Sequence, residues 1–332
     1  MIYYRPIAQI DRCRPKGARA IAGGWSWFTH AECLERGGIS TVVPITEIPV
    51  DIVENIARKR DDICGLSMSE PHIMGVLNVT PDSFSDGGQH NTFENAVARA
   101  KAMIKEGTSL LDIGGESTRP GADYVDNSEE IARTAPVIEM LKIAGIETPM
   151  SIDTRKADVA AAALQAGAVM FNDVTALTYD TDSLPLVGRE KPFVCLMHSL
   201  SDPKTMQNNP EYDDVLLDIY DHLADQIALC VKNGLPQERI VIDPGIGFGK
   251  TMDHNLQLIR GLSLFHGLGC PVLLGVSRKR FIGEIGHAQN AADRAPGSIA
   301  IALEGLRQGA QFLRVHDIWQ TKQAIRLWKK TL

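Results

Sequence analysis

From residue 73 to the C-terminal end, short apolar runs alternate with longer stretches whose apolar residues recur at helical spacing. The run 73–77 (IMGVL) has no polar interruption, which is how a strand buried on both faces of a parallel sheet reads. Seven further runs share that character, starting near Ser109 (LLDIG), Pro149 (MSID), Ala168 (VMFND), Pro192 (FVCLMH), Arg239 (IVID), Cys270 (PVLLGVS) and Gln311 (FLRVH). Between them the spacing predicts helices over 92–105, 128–144, 155–166, 213–233, 254–265, 291–308 and 319–329, with a short crossover near 183–188. Eight strand–helix units of this size match an α/β chain folded as a (β/α)8 TIM barrel, typically about 250 residues long. A doubly wound open sheet is the rival arrangement.

The first seventy residues lack the alternation. They hold Trp25 and Trp27 in GGWSW, a β-branched run at 39–43 and one helical stretch at 51–60. Nine basic and nine acidic residues balance there, so the whole net charge of −7 falls on the remainder. That shift sets a boundary near Met68, with a small N-terminal extension over 1–70 and the barrel over 71–332. An extension of this size cannot bury a large core alone, so its aromatics are expected to dock on the barrel.

Composition removes several function classes. With 34 basic against 41 acidic residues, the chain is not built to recruit nucleic acid. No apolar run approaches the roughly 18 residues that cross a bilayer, and no signal-peptide core stands at the start, so the expectation is a cytoplasmic protein without a membrane partner. Six cysteines without a CxxC spacing argue against a zinc cage or a disulfide framework.

In a (β/α)8 barrel, chemistry gathers at the carboxyl ends of the strands. Here those ends carry Asn78, Asp112, Asp153, Asn172, Asp173, His198, Asp243, Ser277, Arg314 and His316. Singly, each such residue is more often a helix cap or turn former. Capping does not explain acids, amides and cations at nearly every strand of one barrel. The loop after the first run, TPDSFSDGG, is made of turn formers, with Phe84 as the one aromatic and no core to join. The glycine-rich DPGIGFGKT fails as a phosphate-binding loop, because Pro244 stands where the first glycine belongs. Asp243 is its informative residue: a carboxylate at a strand end suits bidentate acceptance from a planar N–C–N donor edge, and Asp153 and Asn172 can serve other ring nitrogens. Cations cluster separately, in Ser277-Arg278-Lys279-Arg280 and at Arg314 and His316, after the two last strands, where such barrels usually hold phosphate. Arg119, in GGESTRPGA, adds another.

The ordered segments MGVLNVTPDSFSDGG, GGESTRPG, SIDT, FNDV, LMH, DPGIGFGK, GVSRKRF and RVHD resemble the successive motifs of the dihydropteroate synthase family, over residues 73–328. The resemblance implies an enzyme that joins 6-hydroxymethyl-7,8-dihydropterin pyrophosphate to p-aminobenzoate, releasing pyrophosphate. It implies Asp153, Asn172, Asp243 and Lys279 as pterin-binding residues, flanked by Met197 and Phe248. Asn78, Arg314 and His316 correspond to the pyrophosphate side. Asn78 and Asp86 correspond to ligands of a Mg²⁺ cofactor. Phe84, Thr118, Arg119, Ser277 and Arg280 would frame the p-aminobenzoate. Asp86, Arg119, Lys279, Arg314 and His316 would carry the catalytic step, in an expected homodimer. The first seventy residues depart from the family pattern. Two rivals are a methyltetrahydrofolate-dependent methyl transferase, which has no use for a diphosphate cluster, and a non-catalytic pterin-binding protein.

Overall fold

The computed structural model describes residues 1–79, 89–117, 124–200 and 210–332, with only the backbone given for 89–93. Phe84, Asp86, Thr118 and Arg119, named above as candidates, therefore lie outside the described residues.

Eight parallel strands form one sheet: β6 (His72–Asn78), β7 (Leu110–Gly114), β8 (Met150–Asp153), β9 (Met170–Asp173), β10 (Phe193–Met197), β11 (Ile240–Asp243), β12 (Leu273–Leu274) and β13 (Phe312–Val315). Their order, β11-β10-β9-β8-β7-β6-β13-β12, is closed by a parallel bridge from Ile242 to Val272. The result is a (β/α)8 barrel. Every residue of β7, β8, β9 and β11 is buried, because helices cover the outer face while side chains fill the inside.

Helices α2 (Gln89–Glu106), α3 (Asn127–Ile143), α4 (Ala157–Ala166), α5 (Ser183–Glu190), α6 (Val215–Lys232), α7 (Met252–Arg260), α9 (Ala295–Arg307) and α10 (Ile318–Thr331) follow the predicted spacing. Two features differ. The helix expected over 254–265 stops at Arg260, and 3₁₀ turns continue at Leu262–Leu268. Gly261 sits at the break, where a Cβ would come within 2.6 Å of the Leu216 side chain. A short helix at Arg280–Ile285, α8, was not foreseen.

The N-terminal region holds an antiparallel sheet, β1 (Ile2–Pro6), β4 (His30–Glu35) and β5 (Thr41–Pro44), a hairpin of β2 (Arg19–Ala20) and β3 (Trp27–Phe28), and helix α1 (Val50–Ala57). As expected, its aromatics dock on the barrel. Trp25 donates from Nε1 to the Leu306 carbonyl at 2.6 Å and meets Trp328 edge-on, and the Tyr3 hydroxyl donates to Asp221 at 2.8 Å. Ile63 and Met68 join Met74, Leu110, Met170, Cys195, Val241, Leu273 and Phe312 in one buried cluster that plugs the amino end of the barrel. All six cysteines are free.

Candidate active site at the carboxyl ends of the strands

The plug also fixes which positions face inward. Strand side chains alternate, so moving two residues up from Leu110, Met170, Val241 and Phe312 gives Asp112, Asn172, Asp243 and Arg314 on the same inner face. The barrel interior is thus apolar at one end and ionic at the other.

At the ionic end, Arg314 reaches across β6. It donates from Nε to Asp112 Oδ2 at 2.6 Å and from Nη2 to Asp153 Oδ2 at 2.5 Å. Asp112 is the hub of this set: it also accepts from Ser151 Oγ at 2.5 Å and from Asn172 Nδ2 at 3.2 and 3.3 Å. Asp112 is fully buried, and Asp153, Asn172 and Asp243 are each 5% exposed. Among the described residues, Asp153 Oδ1 is buried without a hydrogen-bond partner, an uncommon condition for a carboxylate oxygen. Asp243 Oδ1 accepts from the Gly245 N–H at 2.7 Å. Its Oδ2 lies 3.5 Å from where a Cβ on Gly275 would stand, and Arg314 Cβ lies 3.9 Å from the same point, so Asp243 and Arg314 open onto one side. In the same way, Asn78 Oδ1 and Asp153 Oδ2 both lie 3.6 Å from a Cβ built on Gly114. Met197, buried at the end of β10, pairs in register with Asp243.

Burial pushes the Asp153 carboxyl up to about 7, even though the Arg314 guanidinium pulls it down. Burial likewise raises Asp243, opposed by the Gly245 N–H and by the charges of Lys279, Arg314 and Lys250. Burial alone would ease the proton off Arg314, but Asp112 and Asp153 outweigh it and hold the cation.

The three consecutive cations after β12 go to three different places. Arg278 takes a left-handed backbone conformation, φ +59°, and is bidentate to Asp317, with Nε to Oδ2 at 3.0 Å and Nη2 to Oδ1 at 2.5 Å. Arg280 opens α8 with a side chain 89% exposed, paired with Glu284 at 2.7 Å. Lys279 turns inward, with Nζ 3.9 Å from the centre of the Phe248 ring. Ser277 Oγ accepts from the His316 backbone N–H at 3.1 Å and lies 3.1 Å from its Nδ1, which fixes the imidazole. The guanidinium of Arg314, expected on a diphosphate, here lies between the acids.

Two residues from the strand-end group do other work. Asp173 accepts from the Thr175 N–H and hydroxyl and from the Leu177 N–H, an Asx turn that closes the backbone. His198 is held by Lys250 and packs edge-on against His222. Asp112 was in the strand-end group but had no assigned role. No sequence signal singles it out, because both faces of the LLDIG strand are buried and the run does not say which phase points inward.

A metal test turns on donor chemistry. Among the described residues, no group of three His, Cys, Asp or Glu side chains could hold an ion. Asn78 offers a hard amide oxygen at the mouth, the donor type that Mg²⁺ accepts when substrate phosphates complete its shell.

Residues 74–316 match the pterin binding enzyme family. The chain belongs to this family. Within it, the chain is 43% identical over 267 residues to the dihydropteroate synthase of Escherichia coli strain K12, covering 80% of this chain and 94% of that protein. The solved Xanthomonas albilineans dihydropteroate synthase with 4-aminobenzoic acid superposes at a TM-score of 0.76 and 44% identity, covering 82% of this chain and 97% of that one. A structure of the Xanthomonas enzyme with 7,8-dihydropteroate gives 0.72 and 42%, with 80% and 95% covered. This pterin-binding barrel is therefore an enzyme, a transferase of the dihydropteroate synthase kind.

Proposed function

We propose that the inner-face acids hold the pterin of 6-hydroxymethyl-7,8-dihydropterin pyrophosphate while p-aminobenzoate displaces its pyrophosphate. One observation carries the reading: Asp153 Oδ1, buried and without a hydrogen-bond partner among the described residues, and Asp243 Oδ2, on a residue 5% exposed, are acceptor oxygens at one mouth, with the Asn172 amide between their strands. A planar heterocycle with a 2-amino-4-oxo edge presents the matching donors, and each such charge-assisted pair is worth roughly 1.5–3 kcal/mol. The Lys279 ammonium beside Phe248 supplies a donor for the ring's acceptor atoms, and Met197 an apolar wall.

The diphosphate belongs to the other side of the mouth. Arg314 engages two of its five N–H donors with Asp112 and Asp153, and the reading gives remaining donors to phosphate oxygens. His316, oriented by Ser277, and Asn78 complete that side. Asn78 would hold Mg²⁺ together with the diphosphate, and the ion, when bound, neutralises charge on the departing group. As the carbon–oxygen bond breaks, positive charge spreads into the pterin ring. The buried Asp153 and Asp243 carboxylates face that charge in a low-dielectric site, which is where fixed charges lower a barrier most. The arylamine nitrogen then forms the new carbon–nitrogen bond and loses its proton, so no nucleophile from the chain is needed. The reading gives Ser277, beside His316, and Arg280, once it leaves Glu284, to the approach of p-aminobenzoate. Among the described residues, no helix is long and apolar enough to cross a membrane, and soluble substrates of this kind suit a cytoplasmic enzyme.

The test is pyrophosphate release by the wild-type chain and by Asp243→Asn, with and without p-aminobenzoate and Mg²⁺. Release should need the pterin pyrophosphate, p-aminobenzoate and Mg²⁺ together, and the variant should bind the pterin ten- to a hundredfold more weakly by calorimetry. Unchanged pterin affinity in the folded variant would remove Asp243 from the site.

A further inference from the structure

The loop after β11 ends in a group that the pterin contacts above leave unused. Lys250 is 3% exposed, and among the described residues no carboxylate pairs with it. Its Nζ instead donates to the Phe248 carbonyl at 2.9 Å and the His198 carbonyl at 3.3 Å, and lies 3.1 Å from His198 Nδ1. A buried ammonium is costly unless such acceptors collect it. Here the acceptors belong to two backbone segments, the end of β10 and the loop after β11. Those segments press together: a Cβ on Gly245, at φ +71°, would stand 1.9 Å from the His198 oxygen. The loop is closed internally by Phe248 N–H to Gly245 O at 3.1 Å, and flanked by Gly247 N–H to Asn255 Oδ1 at 2.6 Å and Tyr212 hydroxyl to Gly249 O at 2.9 Å.

We propose that Lys250 is a positioning residue of the pterin subsite: by tying the Phe248 and His198 carbonyls together, it sets the Phe248 ring under Lys279 and the Gly245 N–H on Asp243. The inference rests on the pterin reading of this site. His198, held neutral by burial and by the Lys250 charge, stays an acceptor at Nδ1. The ammonium also acts at a distance. While protonated it favours the ionised form of Asp243, the form that accepts from a pterin, and burial pulls the Lys250 ammonium itself down to about 7. The charged and titratable groups around it are Asp243 on β11, His198 beyond β10, His222 on α6, His254 on α7 and Lys279 before α8.

Lys250→Met keeps the methylenes and removes the charge and its donors. Calorimetry with 6-hydroxymethylpterin should show affinity down at least tenfold and the pH midpoint of binding shifted upward. In steady state, KM for the pterin pyrophosphate should rise while KM for p-aminobenzoate stays as in the wild type. Lys250→Arg keeps the charge and changes the reach, so it should restore the midpoint and leave affinity reduced. It also serves if the methionine variant does not fold. A folded methionine variant with wild-type affinity and pH profile, an arginine variant with wild-type affinity, or equal loss for both substrates overturns the inference. Failure of the wild-type chain to bind the pterin removes the functional reading, and this inference with it.

Discussion

Asp153 carries the sharpest electrostatic conflict in the barrel. One of its oxygens is bonded to Arg314, the other is buried and has no partner among the described residues, and burial lifts its carboxyl to about 7. The neutral form places a proton where a pterin N–H should donate, so only the ionised form serves the ligand. Below a pH of about 7 the group is increasingly protonated, and pterin affinity should fall with it. In Asp153→Asn the Asp153 step should disappear at a lower affinity, leaving only the step that belongs to Asp243. Calorimetric titrations between pH 5.5 and 8 check both, and an unchanged pH profile in the variant would assign the titration to another group. Asn172 and Asp173 show the limit of residue-level reading. They are neighbours at the end of one apolar run, yet the two-residue strand period sends Asn172 to the inner cluster and Asp173 to a turn. Both faces of that strand are buried, so the pattern of apolar residues does not say which phase points inward.

The decisive element is the loop after β11. Its glycines are needed where the backbone passes over His198: Gly245 combines a left-handed φ with contact that a Cβ could not share. Gly245→Ala should therefore cost well over about 1 kcal/mol in stability. It should also weaken the pterin more than p-aminobenzoate, measured by thermal melts and substrate-specific KM values. The eight barrel strands were legible because parallel strands covered on both faces read as unbroken apolar runs. β1 and β4 were not. Their sequences, IYYRP and HAECLE, mix polarity, and they pair antiparallel across more than twenty intervening residues. α7 ends at Gly261, where the approach of Leu216 leaves no room for a Cβ, while the 3₁₀ turns beyond it keep the apolar spacing going.

At the scale of the molecule, the barrel works as a vessel with one closed end. Ile63 and Met68, from the segment just before β6, complete the apolar plug, and we infer that residues 1–70 serve the barrel as a docked base rather than as part of its chemistry. Met68→Ala should lower stability by about 2–5 kcal/mol in chemical denaturation while leaving pterin affinity at the wild-type level, since the plug and the acids occupy opposite ends. Loss of pterin affinity in step with stability would show that the two ends are coupled.

The eight strand–helix units after residue 71 and the polar residues at their strand ends were determined by the amino-acid sequence, because periodicity and turn chemistry act over a few neighbouring residues; closure into a barrel rather than an open sheet was not. Folding in three dimensions alone decided which strand-end side chains share the inner face, that Arg314 binds Asp112 and Asp153, that Arg278 and Arg280 turn away while Lys279 turns in, and that Lys250 is enclosed by carbonyls. Those outcomes depend on barrel closure, which brings together groups up to about two hundred residues apart, and on the burial that closure imposes.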